Sequence, residues 1–189
     1  SSDSDNEIEL DEDVVDIKGN VYQDYTTNER VILSEDKSNM TINGELNMVC
    51  TPKNRNLKSI TIKGEVDIDS QKPRTGKNVV DLTNIERISI EEKGSLYFNV
   101  LTKNIKLNQN LIIFDKTIKN INSILEKKKK YEFHNNRFLF GDLTIRNGQT
   151  VIIKDTTHVF IYKGATLKIE KGGRLIVESN SSLNCPNFI

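Results

Sequence analysis

The sequence predicts an all-β protein, and within that class a parallel β-solenoid (β-helix) with about 16–20 residues per coil. Three observations predict this fold. A pair of apolar residues recurs every eight residues from Leu143 onward. Residues 40–48 and 60–68 share one pattern of apolar, polar and glycine positions at a separation of 20. Hydrophobic residues make up only 35% of the chain, which suits a fold in which every residue lies near the surface.

Each eight-residue repeat describes a short strand followed by a polar turn. Alternate side chains of a strand point to the same side, so both apolar positions face the interior. The turn position is mostly Gly or Asn, which accept left-handed backbone geometry at little steric cost. The first apolar positions are Leu143, Val151, Val159, Leu167, Leu175 and Leu183, and the second are Ile145, Ile153, Ile161, Ile169, Val177 and Cys185. The turn positions are Gly148, Thr156, Gly164, Gly172 and Asn180.

One coil could contain either two repeats or three. Coils of two repeats are favoured, because they align a ladder of hydroxyl side chains and one corner of turn residues. The ladder consists of Thr150, Thr166 and Ser182, and the corner of Gly148, Gly164 and Asn180. Coils of three repeats would instead bring Arg146 to Glu170 and Lys154 to Glu178. The alternative fold is an antiparallel β-sandwich or meander, since hairpin turns of this length would also join the strands.

Residues 18–115 are predicted to form irregular solenoid coils with loop inserts. Each copy of the 20-residue pattern reads as two short alternating strands that pivot on a glycine, Gly44 in the first copy and Gly64 in the second. Polar inserts between copies are expected to bulge from the coils as loops. The copies lie at 40–48, 60–68, 88–98 and 105–113, and the inserts at 51–59 and 70–78.

Charge is distributed unevenly along the chain. Residues 1–16 hold eight of the 27 acidic residues and no basic residue, so the remainder carries 27 basic against 19 acidic side chains. Because this stretch has few apolar side chains to bury, residues 1–17 are predicted to be a flexible acidic segment.

Residues 116–130 interrupt the β pattern before the regular repeats of residues 131–189. Ile118, Ile121, Ile124 and Leu125 lie at helical spacing and predict a short amphipathic helix, with a loop as the alternative. Lysines follow at its carboxyl end, where the helix dipole favours positive charge.

The residue types that carry catalysis are scarce. No phosphate-binding loop, metalloprotease helix or serine-hydrolase motif is present, and His134 and His158 occupy turn or outward positions. The prediction is a non-enzymatic protein with no catalytic residue, cofactor or metal site. Cys50 and Cys185 are far apart in the sequence and are predicted to be small buried residues, although a disulfide between them stays open.

Outward carboxylates of the C-terminal repeats could form a sugar-cleaving pair. Each of them has a basic residue nearby, so ion pairing on the surface is the favoured interpretation. These carboxylates belong to Asp142, Asp155, Glu170 and Glu178.

Two surfaces are candidates for binding. A lysine cluster could attract a polyanion such as a glycosaminoglycan or nucleic acid; its members are Lys116, Lys119, Lys127, Lys128, Lys129 and Lys130. Apolar residues at outward positions, Ile152, Phe160 and Ile176, could contact an assembly partner, another copy or the chain's own N-terminal half. With 16-residue coils, Phe160 and Ile176 would stack on one face and Ile152 would lie on the other.

The segment KGATLKIEKGGRLIVESNSSL at 163–183 resembles the repeats of secreted and surface-displayed β-solenoid proteins, such as adhesin passenger domains and fibre modules. Gly164, Gly172, Gly173 and the apolar pairs carry the resemblance. It implies a structural or adhesion module of a surface, extracellular or particle-associated assembly. A polysaccharide-binding or carbohydrate-active β-helix is the alternative, and polyanion binding through the lysines is another. No apolar run is long enough to predict a membrane span.

Overall fold

A computed structural model of the chain describes residues 13–15, 21–25, 30–68, 79–98 and 104–187. The chain divides into two compact units, unit 1 (Ser1–Ile113) and unit 2 (Phe114–Ile189). Both are built from parallel strands stacked as a β-solenoid, which confirms the predicted fold class over the antiparallel alternative. The predicted insert at 70–78 and most of the acidic segment, residues 1–12 and 16–17, lie outside the described residues.

Unit 1 is made of short strands in coils that have three strands each. The strands are β1 (Asp13–Val15), β2 (Val21–Gln23), β3 (Val31–Leu33), β4 (Asn39–Ile42), β5 (Glu45–Met48), β6 (Thr51–Pro52), β7 (Ser59–Ile62), β8 (Glu65–Ile68), β9 (Val80–Leu82), β10 (Arg87–Ile90), β11 (Ser95–Phe98), β12 (Ile105–Leu107) and β13 (Ile112–Asp115), the last of which crosses into unit 2. Strands β4, β7 and β10 stack on one face, β5, β8 and β11 on the next, and β9 and β12 on the third.

The 20-residue repeat is the coil-to-coil register of unit 1. Asn39 pairs with Ser59 and Glu45 with Glu65, each 20 residues on, as the matching patterns predict. The next coil pairs Ser59 with Arg87, so the interval widens where an insert intervenes. Inward residues of all three coils are buried: Met40, Ile42, Leu46, Met48, Ile60, Ile62, Val66, Ile68, Ile88, Ile90, Leu96 and Phe98.

The first coil of unit 1 has antiparallel partners at its edge. Strand β3 pairs antiparallel with β4 through a turn held by Asp36, whose Oδ1 accepts from the Ser34 hydroxyl at 2.8 Å and from the Ser38 amide at 3.0 Å. Strands β1 and β2 also pair antiparallel. Part of the predicted flexible segment, Asp13–Val15, therefore forms a strand.

Unit 2 begins with a helix and continues with regular strands. They are α1 (Lys116–Lys128), β14 (Lys130–Phe133), β15 (Arg137–Leu139), β16 (Leu143–Ile145), β17 (Thr150–Ile153), β18 (His158–Ile161), β19 (Leu167–Ile169), β20 (Arg174–Val177) and β21 (Ser182–Asn184). The helix confirms the amphipathic pattern, with Ile118, Ile121 and Leu125 buried in the core of this unit. Asp115 caps it by accepting from the Thr117 amide at 3.1 Å, and its other oxygen accepts from the Phe140 amide at 3.1 Å.

The strand registers show that three repeats, and not two, make one regular coil of unit 2. Val151 pairs with Leu175 and Leu143 with Leu167, each 24 residues on. The favoured 16-residue coil is therefore wrong for these repeats, and the 24-residue alternative holds. Stacking of the three sheets β14-β17-β20, β15-β18-β21 and β16-β19 gives the unit three faces.

The turn prediction for the repeats is confirmed at every position. All five turn residues have positive φ: Gly148 (79°), Thr156 (61°), Gly164 (97°), Gly172 (84°) and Asn180 (60°). Most inward residues of the first two coils are almost fully buried, for example Ile145 at 0% and Val151 at 1% exposure. Those of the last coil are partly open, and Val177 is 44% exposed.

Candidate functional site

The outer face of the β5-β8-β11 sheet carries a shallow cleft of about 260 Å³ lined by carboxylates, an amide, a hydroxyl and an aromatic ring. The side chains form two columns because parallel strands place equivalent residues beside one another. The first column is Glu45, Glu65 and Ser95, and the second is Asn47, Asp67 and Tyr97. Strands lie about 4.8 Å apart and alternate residues about 7 Å apart, so this array, here called the acidic cleft, has the dimensions of one or two sugar rings.

Two carboxylates of the acidic cleft are neighbours and form no ion pair with a described residue. Glu45 and Glu65 stand side by side in register, and neither makes an ion pair or a side-chain hydrogen bond with any described residue. Two like charges about 5 Å apart repel by about 1 kcal/mol in water. Folding alone does not favour this pair of acids, so the pair is available for hydrogen bonding to something outside the chain.

The second column adds an aromatic surface and an unsatisfied acceptor. Tyr97 is 39% exposed, so part of its side chain is accessible to solvent. The Oδ1 atom of Asn47 is enclosed and has no hydrogen-bond partner among the described residues. Buried acceptors are normally paired, so rotation of this amide towards a bound hydroxyl group would satisfy it.

Basic side chains border the acidic cleft at the turns that precede its strands. The turns that precede β5, β8 and β11 form a second shallow surface, where Arg30 and Lys93 lie near Glu45 and Glu65. The aliphatic part of Arg30 covers Gly44 at the corner of the first coil. The cleft is therefore acidic along its floor and basic at this rim.

The predicted lysine cluster is spread along α1 and beyond it. Lys116 and Lys119 lie in the first turns of the helix, whereas Lys127 and Lys128 lie in the last turn. Lys129 is the C-cap in left-handed geometry, with φ 59°. All are exposed, and about 12 Å of helix axis separates the two groups, so the cluster is two patches.

The sixth lysine of the cluster is part of an ion pair. Lys130 begins β14, and its Nζ lies 3.0 Å from Glu132, whose other oxygen lies 3.1 Å from Nε2 of His134. The hydrogen bond from Lys130 holds the pKa of Glu132 below its usual range. Only Lys127, Lys128 and Lys129 form a compact group without a carboxylate partner among the described residues.

The three residues of the predicted apolar interaction face lie on two faces of unit 2, but they are grouped differently from the prediction. Ile152 and Ile176 are register partners on one face, while Phe160 belongs to another face and stacks on Phe138 at 5.1 Å between ring centroids. The stacking of Phe160 with Ile176 was wrong because it assumed 16-residue coils. All three predicted residues are half-buried.

Phe160 is one member of an aromatic cluster on the outer side of β15 and β18. Phe138 contacts Phe140 at 5.8 Å, and Phe140 contacts Tyr162 at 5.2 Å. Burial raises the pKa of Tyr162. Because Phe138 and Phe140 are themselves buried, this cluster serves packing.

Three of the four outward acids of the C-terminal repeats are bound within their own unit, whereas the Asp155 carboxylate makes no ion pair with a described residue. Glu170 pairs with Arg146 at 2.9 Å and Glu178 with Lys154 at 3.3 Å, the two pairs that 24-residue coils require. Asp142 accepts from the Thr166 amide at 2.8 Å.

Sequence reasoning missed the acidic cleft, although part of its signal was present. The 20-residue register already places Glu45 beside Glu65 and Asn47 beside Asp67. Tyr97 joins them across a 30-residue interval that contains the 70–78 insert, and this irregular interval hides the alignment.

Comparison of the chain with protein-family models, with curated proteins and with solved structures gives no match in any of the three. Over the described part of the chain, no helix is long and apolar enough to cross a membrane, and no three His, Cys, Asp or Glu side chains are grouped to hold a metal ion. Cys50 is buried and Cys185 is half-buried, and neither forms a disulfide with a described residue.

Proposed function

We propose that this chain is a non-enzymatic structural or adhesion module that binds an uncharged polysaccharide along the acidic cleft. The observation that supports it best is the pair Glu45 and Glu65, two unpaired carboxylates in register beside an exposed tyrosine ring. Carboxylate and amide oxygens accept hydrogen bonds from sugar hydroxyls, and Tyr97 supplies a flat apolar surface for the C–H face of a ring. The resemblance of the repeats to surface-displayed solenoids agrees with this role at a surface or in an extracellular assembly.

The direction of the carboxylates supports binding over cleavage. Glycoside hydrolases place two carboxyl groups on either side of the scissile bond. Glu45 and Glu65 project side by side from one sheet face, so both would contact the same side of a sugar chain. The negative floor of the cleft would repel sulfated or uronic polymers and accept neutral ones.

The test is calorimetric titration with a panel of neutral polysaccharides, with heparin as the acidic comparison. Tyr97→Ala and the double variant Glu45→Gln/Glu65→Gln are expected to weaken binding at least tenfold. Glu86→Gln, an exposed acid outside the cleft, and Phe114→Ala, an exposed aromatic elsewhere, are expected to leave binding unchanged. Binding that survives in the cleft variants refutes the proposal, and release of new reducing ends would replace it with hydrolysis.

Polyanion binding by unit 2 is the second candidate. Its support is the group Lys127, Lys128 and Lys129, which is exposed and without a carboxylate partner among the described residues. Reversal of all three charges to Glu is expected to abolish heparin binding and its salt dependence. A lysine-rich helix end that only offsets the helix dipole would show no heparin binding at physiological salt.

A further inference from the structure

Two loops of unit 1 enclose a shallow cleft lined mainly by basic and amide side chains. The first loop is the turn between β3 and β4, and the second follows β6. The cleft has a volume of about 320 Å³ and shares no lining residue with the acidic cleft. It is here called the basic cleft, and its lining residues are Asp24, Leu33, Lys37, Lys53, Asn54, Arg55 and Asn56.

Hydrogen bonds between these loops and their neighbours fix the walls of the basic cleft. The side-chain amide of Asn54 donates to the Lys37 carbonyl at 3.0 Å, and its Oδ1 accepts from the main-chain amide of Asn56 at 3.0 Å. The main-chain amide of Lys53 donates to the Gln23 carbonyl at 2.9 Å. Because these bonds hold the backbone of both loops, a ligand would not have to order the loops when it binds.

Three cations outnumber one carboxylate among the lining residues. Lys37 is exposed, and its ammonium group makes no ion pair or hydrogen bond with a described residue. Arg55 lies over the buried ring of Tyr22, with Cζ 4.2 Å from the ring centroid, and this contact holds the guanidinium group in place. Lys53 lies 3.9 Å from Asp24, which is a long ion pair. The basic cleft therefore carries excess positive charge.

The backbone conformation at Lys37 is unfavourable for a lysine. Its φ is 60°, in the left-handed region that Gly and Asn adopt more easily than other residues. Asp36, the carboxylate next to it in the sequence, is not a lining residue, and its Oδ1 accepts from the hydroxyl groups of Ser34 and Ser38 in the same turn. Asn or Gly would suit the turn better, whereas the lysine side chain supplies one of the three cations of the basic cleft.

A tetrahedral oxyanion fits the hydrogen-bond donors of the basic cleft. Guanidinium, ammonium and amide N–H groups all donate hydrogen bonds, and phosphate and sulfate oxygens accept them. The volume of about 320 Å³ lies at the small end of the range for ligand sites, about 300–1,000 Å³, so the cleft has room for more than the oxyanion. Leu33 is half-buried and offers an apolar contact to the rest of the ligand.

A buried acceptor behind the basic cleft favours a ligand that also carries hydroxyl groups. Gln23 is 5% exposed, and its Oε1 has no hydrogen-bond partner among the described residues. Gln23 lines a cavity of about 10 Å³, and residues of the basic cleft such as Leu33 and Asn54 line this cavity too. Buried acceptors are normally paired, and a hydroxyl group in the cleft would satisfy this one directly or through one water molecule.

We propose that the basic cleft binds a sugar that carries one phosphate or sulfate ester. Lys37, Lys53 and Arg55 hold the anionic group, and the sugar ring lies against Leu33 with its hydroxyl groups towards Gln23. Binding here is independent of the acidic cleft, because the two clefts share no lining residue. All three cations are exposed, so a millimolar dissociation constant that rises with salt concentration is expected.

The test is an NMR titration of the full chain with glucose 6-phosphate, glucose 6-sulfate, inorganic phosphate and glucose. A sugar ester is expected to shift the amide signals of residues 33–37 and 53–56 saturably, and to bind about fivefold more tightly than inorganic phosphate. Glucose alone is expected to cause no shift there. The ester that binds more tightly identifies the natural group as phosphate or sulfate, and equal affinity would show that the site recognises the tetrahedral anion that both share.

Three variants separate binding from stability. Lys37→Asn places a residue that tolerates positive φ in the turn, so it is expected to keep or raise the thermal midpoint while it weakens ester binding about fivefold. Lys53→Gln and Arg55→Gln are expected to weaken binding by a similar factor. Lys63→Gln, which replaces an exposed lysine of unit 1 outside the cleft, is the matched control and is expected to leave binding unchanged.

Four results would overturn the proposal. Neither ester binds, glucose or inorganic phosphate binds as tightly as the esters, or the shifts are centred on residues 127–129 of unit 2 instead. The fourth is that Lys37→Asn and Lys63→Gln change the affinity for the esters equally.

Discussion

The corner between β7 and β8 requires glycine for steric reasons, and substitution with alanine gives a sharp test of the stacked coils. A Cβ atom on Gly64 would lie 2.1 Å from the carbonyl oxygen of Gly44 in the preceding coil. This carbonyl accepts a hydrogen bond from the Glu65 amide at 3.2 Å. The overlap involves backbone on both sides, so the coils must separate locally to relieve it.

The expected cost of Gly64→Ala is about 2–3 kcal/mol of unfolding free energy. Overpacking typically costs about 1–3 kcal/mol, and disruption of the Glu65 hydrogen bond adds about 1 kcal/mol. Because alanine lowers the conformational entropy of the unfolded chain relative to glycine, about 0.4–1 kcal/mol of this loss is offset. For a unit of this size, the thermal midpoint should fall by about 10 °C or more.

Gly44→Ala is the matched control, because Gly44 occupies the same corner one coil earlier. Its Cβ would meet only aliphatic atoms of the Arg30 side chain, the nearest at 2.7 Å, and that flexible chain can move away. A change within about 1 kcal/mol is expected. Circular dichroism reports the midpoint, and hydrogen exchange over residues 59–68 localises the loss. Equal stability of the two variants would refute the stacking of Gly64 on the Gly44 carbonyl.

Two further predictions concern turns. Thr156 is β-branched and yet has a φ of 61°, whereas the equivalent residue of the next coil is Asn180. Thr156→Asn should therefore stabilise unit 2 by about 1 kcal/mol, and Asn180→Thr should destabilise it by a similar amount. Urea unfolding measures both changes. Hydrogen bonds from Ser38 and then Ser34 lower the pKa of Asp36 to about 2. The stabilisation that the charged form provides is therefore present above about pH 4 and is lost as the pH falls towards 2. The difference in unfolding free energy between the protein and its Asp36→Asn variant should therefore disappear as the pH falls from about 4 to 2. A difference that does not change with pH would contradict the role of the charged Asp36 side chain.

The local rules of the fold were readable from the sequence, whereas the coil length was not. Inward positions such as Val151 and turn positions such as Gly148 follow from backbone periodicity and steric limits. Coils of 16 and of 24 residues both place inward residues on inward residues, because both are multiples of eight. The ion pairs Arg146–Glu170 and Lys154–Glu178 distinguish the two, but comparable charge pairs could be drawn for the shorter coil.

The candidate site was less predictable than the fold because it lies across coils of unequal length. Glu45 and Glu65 are equivalent by the 20-residue repeat, yet outward acids are ordinary on a solenoid surface. Their lack of partners depends on which side chains the neighbouring coils place nearby. Tyr97 reaches them only through the register of β8 with β11, which a sequence with an insert does not reveal.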